Sequence, residues 1–530
     1  MPLSMLCPTT VLPPPERSHT RLARTVGAAA LIWLSAGVAF PQASSRPQGA
    51  LNDVEVLLLV GCGEPGSHVA TLLSERGIIF EPAEQYVEIL QAGGADQALI
   101  QALVAARRVK PSTPNDSPRA EETTAIEHQY REALQQHPGN AALHFVLGSV
   151  RDAQGSRDEA IAQYREALRL KPDFALAHAS LGTALARTGD LDNAVAEFRE
   201  ALRLKPADGA THTSLALLLY QKQDLQAAIS EFREVVRLRP DDANAHTNLG
   251  YVLYQARDSN GAAEEYRAAV RANPDFAEAH SGLASALGAT GDVRGAISEY
   301  HAALKLKPDL AEAHTGLARA LEIEHDLDAA AKEYRAVLRQ NPDDAETHTR
   351  LADLLAKLQR MDEAVAEYRA ASRLKPNDLA AHYDLGNALY GKKDLDGAMA
   401  EYREALRLKP DDPAGHYYLG DVFSTEGERD RAVAEYREAL RLKPDLAPAH
   451  SKLGFVLFKQ QKLDDASVEF QTAVKLTPQD PVAHFGLGLI FEAKGDRQGA
   501  LEQYGLALKY APVNAKARSN FERLSRELKH

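Results

Sequence analysis

Residues 175–208, ALAHASLGTALARTGDLDNAVAEFREALRLKPAD, carry the pattern that decides the fold. His178, Leu181, Gly182 and Leu185 fall at i, i+3, i+4 and i+7. Leu191, Ala194, Val195, Phe198, Ala201 and Leu202 follow the same spacing, so the stretch holds two amphipathic helices. Gly189-Asp190 breaks the first helix from the second. Lys205-Pro206 ends the second, because proline disfavours the α conformation of the residue before it. The unit recurs along the chain: Pro138, Pro172, Pro206, Pro240, Pro274, Pro308, Pro342, Pro376, Pro410, Pro444, Pro478 and Pro512 stand 34 residues apart without an insertion. One hairpin cannot bury its apolar stripe alone, so neighbouring units must supply the other wall, and the expected class is an all-α solenoid.

Composition narrows the function. Hydrophobic residues at 45% and charged residues at 25% exclude a disordered or polytopic membrane chain. Aromatics are only 6% of the 530 residues, which leaves most of the core to Ala and Leu. With 61 Lys and Arg against 74 Asp and Glu, the net charge of -13 argues against nucleic acid as a partner. Cys7 and Cys62 form no CxxC pair, which excludes a zinc site or a disulfide framework. No Ser/His/Asp order, HExxH or Walker loop appears, so no catalytic residue, cofactor or metal is assigned and an enzyme is not expected.

The segments ahead of the repeats read differently. Arg17, Arg21 and Arg24 precede an apolar run from Val26 to Val38, with Gly37 and Ala39 placed for a cut before Phe40. Residues 1–39 therefore read as a signal peptide and 40–50 as a linker, which implies a secreted or periplasmic protein, or one anchored to the membrane through an uncleaved signal. The mature chain is expected to have no membrane span. Residues 51–107 read as a small helical domain. Gly61-Cys62-Gly63-Glu64-Pro65-Gly66 after Val54–Val60 matches GxGxxG and resembles the cofactor loop of S-adenosylmethionine-dependent methyltransferases. However, Leu59 stands where that family carries an acidic residue, and no further strands follow. Leu59-Val60-Gly61-Cys62 also resembles a lipoprotein processing box, but it lies far beyond the signal. Ile89–Gly93 repeats Leu59–Gly63 thirty residues later, so two helix-Gly-helix units are expected, with Gly63 and Gly93 ending a helix at positive φ. Pro111, Pro114 and Pro118 mark a 108–120 linker expected to separate this piece from the rest.

The repeat resembles the tetratricopeptide repeat, whose small-residue places are filled here by Gly182, Ala194 and Ala201, with Leu181 and Phe198 between them. Repeats span 121–514: a half repeat at 121–140 with Tyr130 and Ala133, then eleven full repeats over 141–514. Residues 515–530 follow as a capping helix, with Ala517, Phe521 and Leu524 turned inward. The place often held by tryptophan is histidine in all eleven, a variant similar to the repeats of O-linked N-acetylglucosamine transferase, although only eighteen residues follow Pro512 and no catalytic domain is expected. The resemblance implies a right-handed superhelix whose first helices line a concave groove binding protein or peptide partners. Two alternatives are the recognition subunit of a separately encoded glycosyltransferase and a degenerate S-adenosylmethionine-type domain fused to repeats. Oligomeric state is not legible.

Within the repeats, His144, His178, His212, His246, His280, His314, His348, His382, His416, His450 and His484 are expected to be structural, partly buried and neutral. Burial would then depress their pKa. Successive units lie about 10 Å apart, too far for two histidines to share one zinc at about 2 Å. The Glu and Arg residues of segments such as 435–441 read as a solvated face. In the family, the fifth, sixth, ninth and twelfth places of a repeat face the groove. Aromatics there are the candidate partner-binding residues: Tyr220, Tyr251 and Tyr254 early, then Tyr383, Tyr390, Tyr417, Tyr418, Phe455, Phe458 and Phe485 late. Tyr383, Tyr417 and Phe485 share one place and are expected to line one wall. The Lys/Asn/Arg clamp that some relatives use for a C-terminal carboxylate is represented only by scattered Asn248, Arg350 and Asn387.

Overall fold

The computed structural model describes residues 53–61, 66–76, 82, 84–106 and 130–528, and among these no strand occurs. The 1–39 signal, the 40–50 and 108–120 linkers, the start of the half repeat, Cys62 and Gly63 lie outside the described residues. The chain divides into two compact units, Met1–Pro308 and Asp309–His530.

Both units are built from the same hairpin. Ala175–Thr188 and Leu191–Leu204 form one in the first unit; Leu379–Gly391 and Leu395–Leu408 form one in the second. Aspartates placed before helices accept backbone N–H groups that have no partner inside the helix: Asp208 from Ala210, Asp242 from Asn244 and Ala245, and Asp412 from Ala414. Between the two helices one residue takes a left-handed φ in every full hairpin. Five of these positions hold glycine, as at Gly189 (φ 88), and six do not, as at Gln359 (φ 60). Between the helices lies a core of alanines and one aromatic: Ala194 and Phe198 in one hairpin, Ala398 and Tyr402 in another, all at most 2% exposed. Burying such a ring stabilises by about 1.5–3 kcal/mol. Small residues on the first helix let the ring in: a Cβ added to Gly386 would lie 2.5 Å from the Tyr402 ring.

Each end of the array has its own arrangement. In the second unit Ala515–Glu527 buries Ala517 and Leu524 against the last hairpin, with Phe521 partly buried beside Tyr504 and Ala500. In the first unit Asp53–Gly61, Gly66–Arg76, Glu84–Ala92 and Gln97–Ala105 are helices, so the glycine cluster follows a helix and not the strand a dinucleotide loop requires. Gly94 (φ 103), and not Gly93, carries the positive φ. Gly93 instead serves close packing, since a Cβ there would lie 3.2 Å from that of Ala142.

The helices ahead of the 108–120 stretch pack directly on the first repeats. Glu84–Ala92 packs on both Ala141–Ala153 and Ala175–Thr188. Asn140 donates to the Gly93 carbonyl at 3.2 Å. Phe174, at the cap position of Ala175–Thr188, has no side-chain acceptor, and the Glu88 carboxylate takes its place by accepting from the Leu176 N–H at 2.7 Å. Burial raises the Glu88 pKa, opposed by that backbone bond and by nearby Lys205. Lys205 itself reaches Glu84 at 2.5 Å.

Candidate functional site

The histidine of each full hairpin is a joint between its two helices and the preceding loop. Nδ1 lies 2.5–2.7 Å from a carboxylate nineteen residues on in nine hairpins, from His178–Glu197 to His450–Glu469. In the first and last hairpins the partner is an amide: His144–Gln163 and His484–Gln503, both 2.7 Å. Nε2 meets the carbonyl of the repeat proline, at 3.1 Å for His212 and Pro206. A carbonyl and a carboxylate both only accept, so a ring bonded to both must donate from both nitrogens and carry a charge.

The expected depression of the histidine pKa is therefore reversed at His178, His212, His382 and His450. For His212 and His450 the carboxylate bond outweighs burial. For His178 and His382 burial is the largest influence, but carboxylate and carbonyl together overcome it. All four are held above the usual imidazole range. Among the described residues no group of three or more His, Cys, Asp or Glu is placed to hold a metal.

A second tie explains the ninth place of the repeat. The tyrosine on the second helix directs its hydroxyl at the residue fifteen back: Tyr164 to Ser149 at 3.3 Å, Tyr402 to Asn387 at 2.8 Å, Tyr368 to Asp353 and Tyr436 to Asp421. Where Leu489 fills that place, Tyr504 turns to Glu492 instead at 2.9 Å. Where the buried ring is Phe470, no acceptor is required and the ninth place is Phe455, in edge contact at 4.9 Å.

All ten candidate aromatics are half-buried. In the first unit Tyr220 and Tyr251 meet edge to face at 5.6 Å with hydroxyls 3.1 Å apart. In the second unit two clusters form. Tyr418 stacks on Tyr402 at 5.1 Å and touches Tyr383 at 5.5 Å and Tyr417 at 5.4 Å. Phe485 belongs to the other cluster, 6.3 Å from Phe455 and 5.7 Å from Tyr504. Tyr383 is tied down by its hydroxyl, which donates to Asp412 at 2.9 Å, and Tyr390 by Thr425 at 2.8 Å. Tyr417, Tyr418, Phe455, Phe458 and Phe485 have no such polar tether among the described residues.

Comparison with known proteins agrees with this hairpin. A family model described as tetratricopeptide repeat matches 127–172, 147–209, 213–277, 249–299 and 281–345. Another, described as TPR repeat, matches 352–393, 386–427, 425–461 and 456–495. Together they span more than half of the sequence. The chain belongs to the tetratricopeptide-repeat family. No curated protein sequence matches it. Among solved structures it is similar to yeast Tom70, at 18% identity over 73% of this chain and 96% of that one, TM-score 0.36. It is also similar to YrrB, a TPR protein with an unusual peptide-binding site, at 24% identity over 36% and 97%, TM-score 0.29. MamA shares 23% identity over 30% and 94%, TM-score 0.29.

As a tetratricopeptide-repeat array, the chain also carries charge in its variable places, where the sequence names Asp384 and Asp421 as acidic and Arg350, Lys452 and Lys459 as basic neighbours of the aromatics. Asp384, at the sixth place of Leu379–Gly391, is half-buried, and no hydrogen bond or ion pair reaches its carboxylate among the described residues. Burial, and then the carboxylates of Asp353 and Asp378, hold its pKa above the usual range. In other repeats the same place holds Ser180, Gly282 or Lys452.

Proposed function

We propose that this chain is a non-catalytic scaffold for protein–protein interaction, and that the first-helix face of Asp309–His530 seats peptide segments of its partners. One observation carries the reading: Tyr417, Tyr418, Phe455 and Phe485 stay half-exposed on their helices without polar tethers, whereas the aromatic that each second helix turns into its hairpin, such as Tyr402, Tyr436, Phe470 or Tyr504, is buried. Rigid aromatic anchors give a large contact area with few rotors to immobilise. Family membership supports binding of protein or peptide. The basic and apolar leader of residues 1–39 supports a place outside the cytoplasm.

The test is selection of peptides from a displayed random library on the full-length chain. The double variant Tyr417→Ala/Phe485→Ala should weaken the selected peptides by about 2 kcal/mol or more. Tyr383 is left out of the variant because its loss would also break the bond to Asp412. Unchanged affinity would remove this face from the function.

A further inference from the structure

The aromatic face of Asp309–His530 is bordered by charge that the protein leaves unbalanced. Asp384 sits one residue beyond Tyr383, and its carboxylate is unpartnered among the described residues. The neighbours that act on it are acidic: Asp353, which accepts the Tyr368 hydroxyl, and Asp378, which caps Leu379–Gly391 through the Ala380 N–H. Two cations on first helices of this unit are already engaged: Arg350 pairs with Glu346 at 2.9 Å and Lys452 with Asp421 at 2.9 Å. In later repeats of the same unit, the equivalent first-helix places turn apolar at Phe455 and Phe485, which pack on buried Phe470 and Tyr504.

We propose that this face selects partner segments in which Lys or Arg stands beside apolar residues, the cation lying against Asp353 and Asp384 and the apolar side chains against the exposed rings. The selectivity rests on the peptide-binding reading above and adds the chemistry of the ligand to it. A half-buried carboxylate crowded by like charge is stabilised by an incoming ammonium or guanidinium. An acidic peptide would meet repulsion and unpaired burial at the same place. The tyrosine rings beside it offer faces to the stem and head of the same cation.

The experiment compares peptides selected from one displayed random library by the wild-type full-length chain and by Asp353→Asn/Asp384→Asn. Wild type should enrich Lys and Arg beside Phe, Leu or Tyr. The variant should keep the apolar enrichment, lose the basic one, and bind the wild-type peptides roughly tenfold more weakly. Its melting temperature should be equal or higher, since the change removes like-charge repulsion, and that measurement shows the variant is folded. Apolar peptides without basic residues from wild type, or the same basic enrichment from the variant, would overturn the selectivity while leaving a peptide-binding face. Acidic peptides from wild type would overturn it as well. If neither chain selects any peptide, the reading of the face as a peptide site fails and this proposal fails with it.

Discussion

The hairpins at the two ends of the array differ from the nine between them at a single joint. In between, each histidine faces a glutamate; at the ends, His144 faces Gln163 and His484 faces Gln503. An amide can give or take a hydrogen bond, so those rings keep both bonds whether neutral or charged. A carboxylate only accepts, and its bond to a ring that also donates to proline requires the charged form. The turn after the first helix does not follow this division: glycine holds the left-handed position at both ends, as Gly155 and Gly495, and in three inner hairpins, as Gly189, Gly291 and Gly427, while Gln223, Arg257, His325, Gln359, Lys393 and Gln461 hold it in the other six. One backbone design therefore has a carboxylate joint in its interior and an amide joint at its margins.

The largest expected effect tests whether the last hairpin depends on its cover. Deleting residues 515–530 uncovers Tyr504 and Ala500 and removes the Asn520 bond to the Tyr504 hydroxyl. Protection of Pro481–Tyr510 against hydrogen exchange should fall by about 3–5 kcal/mol, with Arg429–Leu442 unaffected. Equal protection in both would show that the end hairpin stands alone.

The next test concerns acid and base. A histidine whose folded pKa is raised binds protons more tightly folded than unfolded. Its contribution is full below the unfolded value near about 6.5 and is lost as pH rises through the folded value. For His178, His212, His382 and His450 together, denaturation midpoints at about pH 6 and about pH 9 should differ by on the order of 2–4 kcal/mol, allowing for partial exposure, with the acidic condition the more stable. Greater stability at the alkaline pH would mean the rings are neutral.

Converting an inner joint into an end joint isolates the cause. Glu231→Gln should lower stability by about 1 kcal/mol near about pH 6 and leave it unchanged near about pH 9. An equal loss at both would point to packing and not to charge. The smallest effect concerns the turn: Gln359→Gly should stabilise by about 0.5–1 kcal/mol, because the residue already sits at positive φ, whereas Gly495→Ala should destabilise by a similar amount. A loss in the first variant would show that the Gln359 side chain contributes more than its strain costs.

The fold was legible because it is written eleven times in one register: proline spacing, the Gly or Ala facing an aromatic, and the alanines of the second helix each force a local geometry. The charge on the histidines was not, because the partner lies nineteen residues away on the next helix, inside a Glu- and Arg-rich segment that reads as solvated. That reading holds for Glu438, paired with Arg441 on the surface, but not for Glu435, bonded to His416. Comparing the repeats with one another would have found it, since every full repeat carries Glu or Gln at that offset. The site was half legible. Aromatics at the variable places could be named, but whether a ring is tethered, as Tyr383 is by Asp412, depends on a contact twenty-nine residues distant. The docking of residues 84–92 on the first repeats was hidden for the same reason: Glu88 meets a backbone N–H eighty-eight residues away, and no side-chain pattern announces such a bond.

The aromatic of the second helix also bears on how such an array can change length. Its hydroxyl partner lies fifteen residues back, inside the same block between prolines, so copying a block copies donor and acceptor together. Contact with the following block is less forgiving. Gly282 leaves room for the Tyr266 ring and Gly486 for the Phe470 ring, while Tyr418 lies flat on Tyr402. A transplanted block must therefore suit the ring before it, and the array can lengthen by tandem copies of adjoining pairs more readily than by shuffling single repeats.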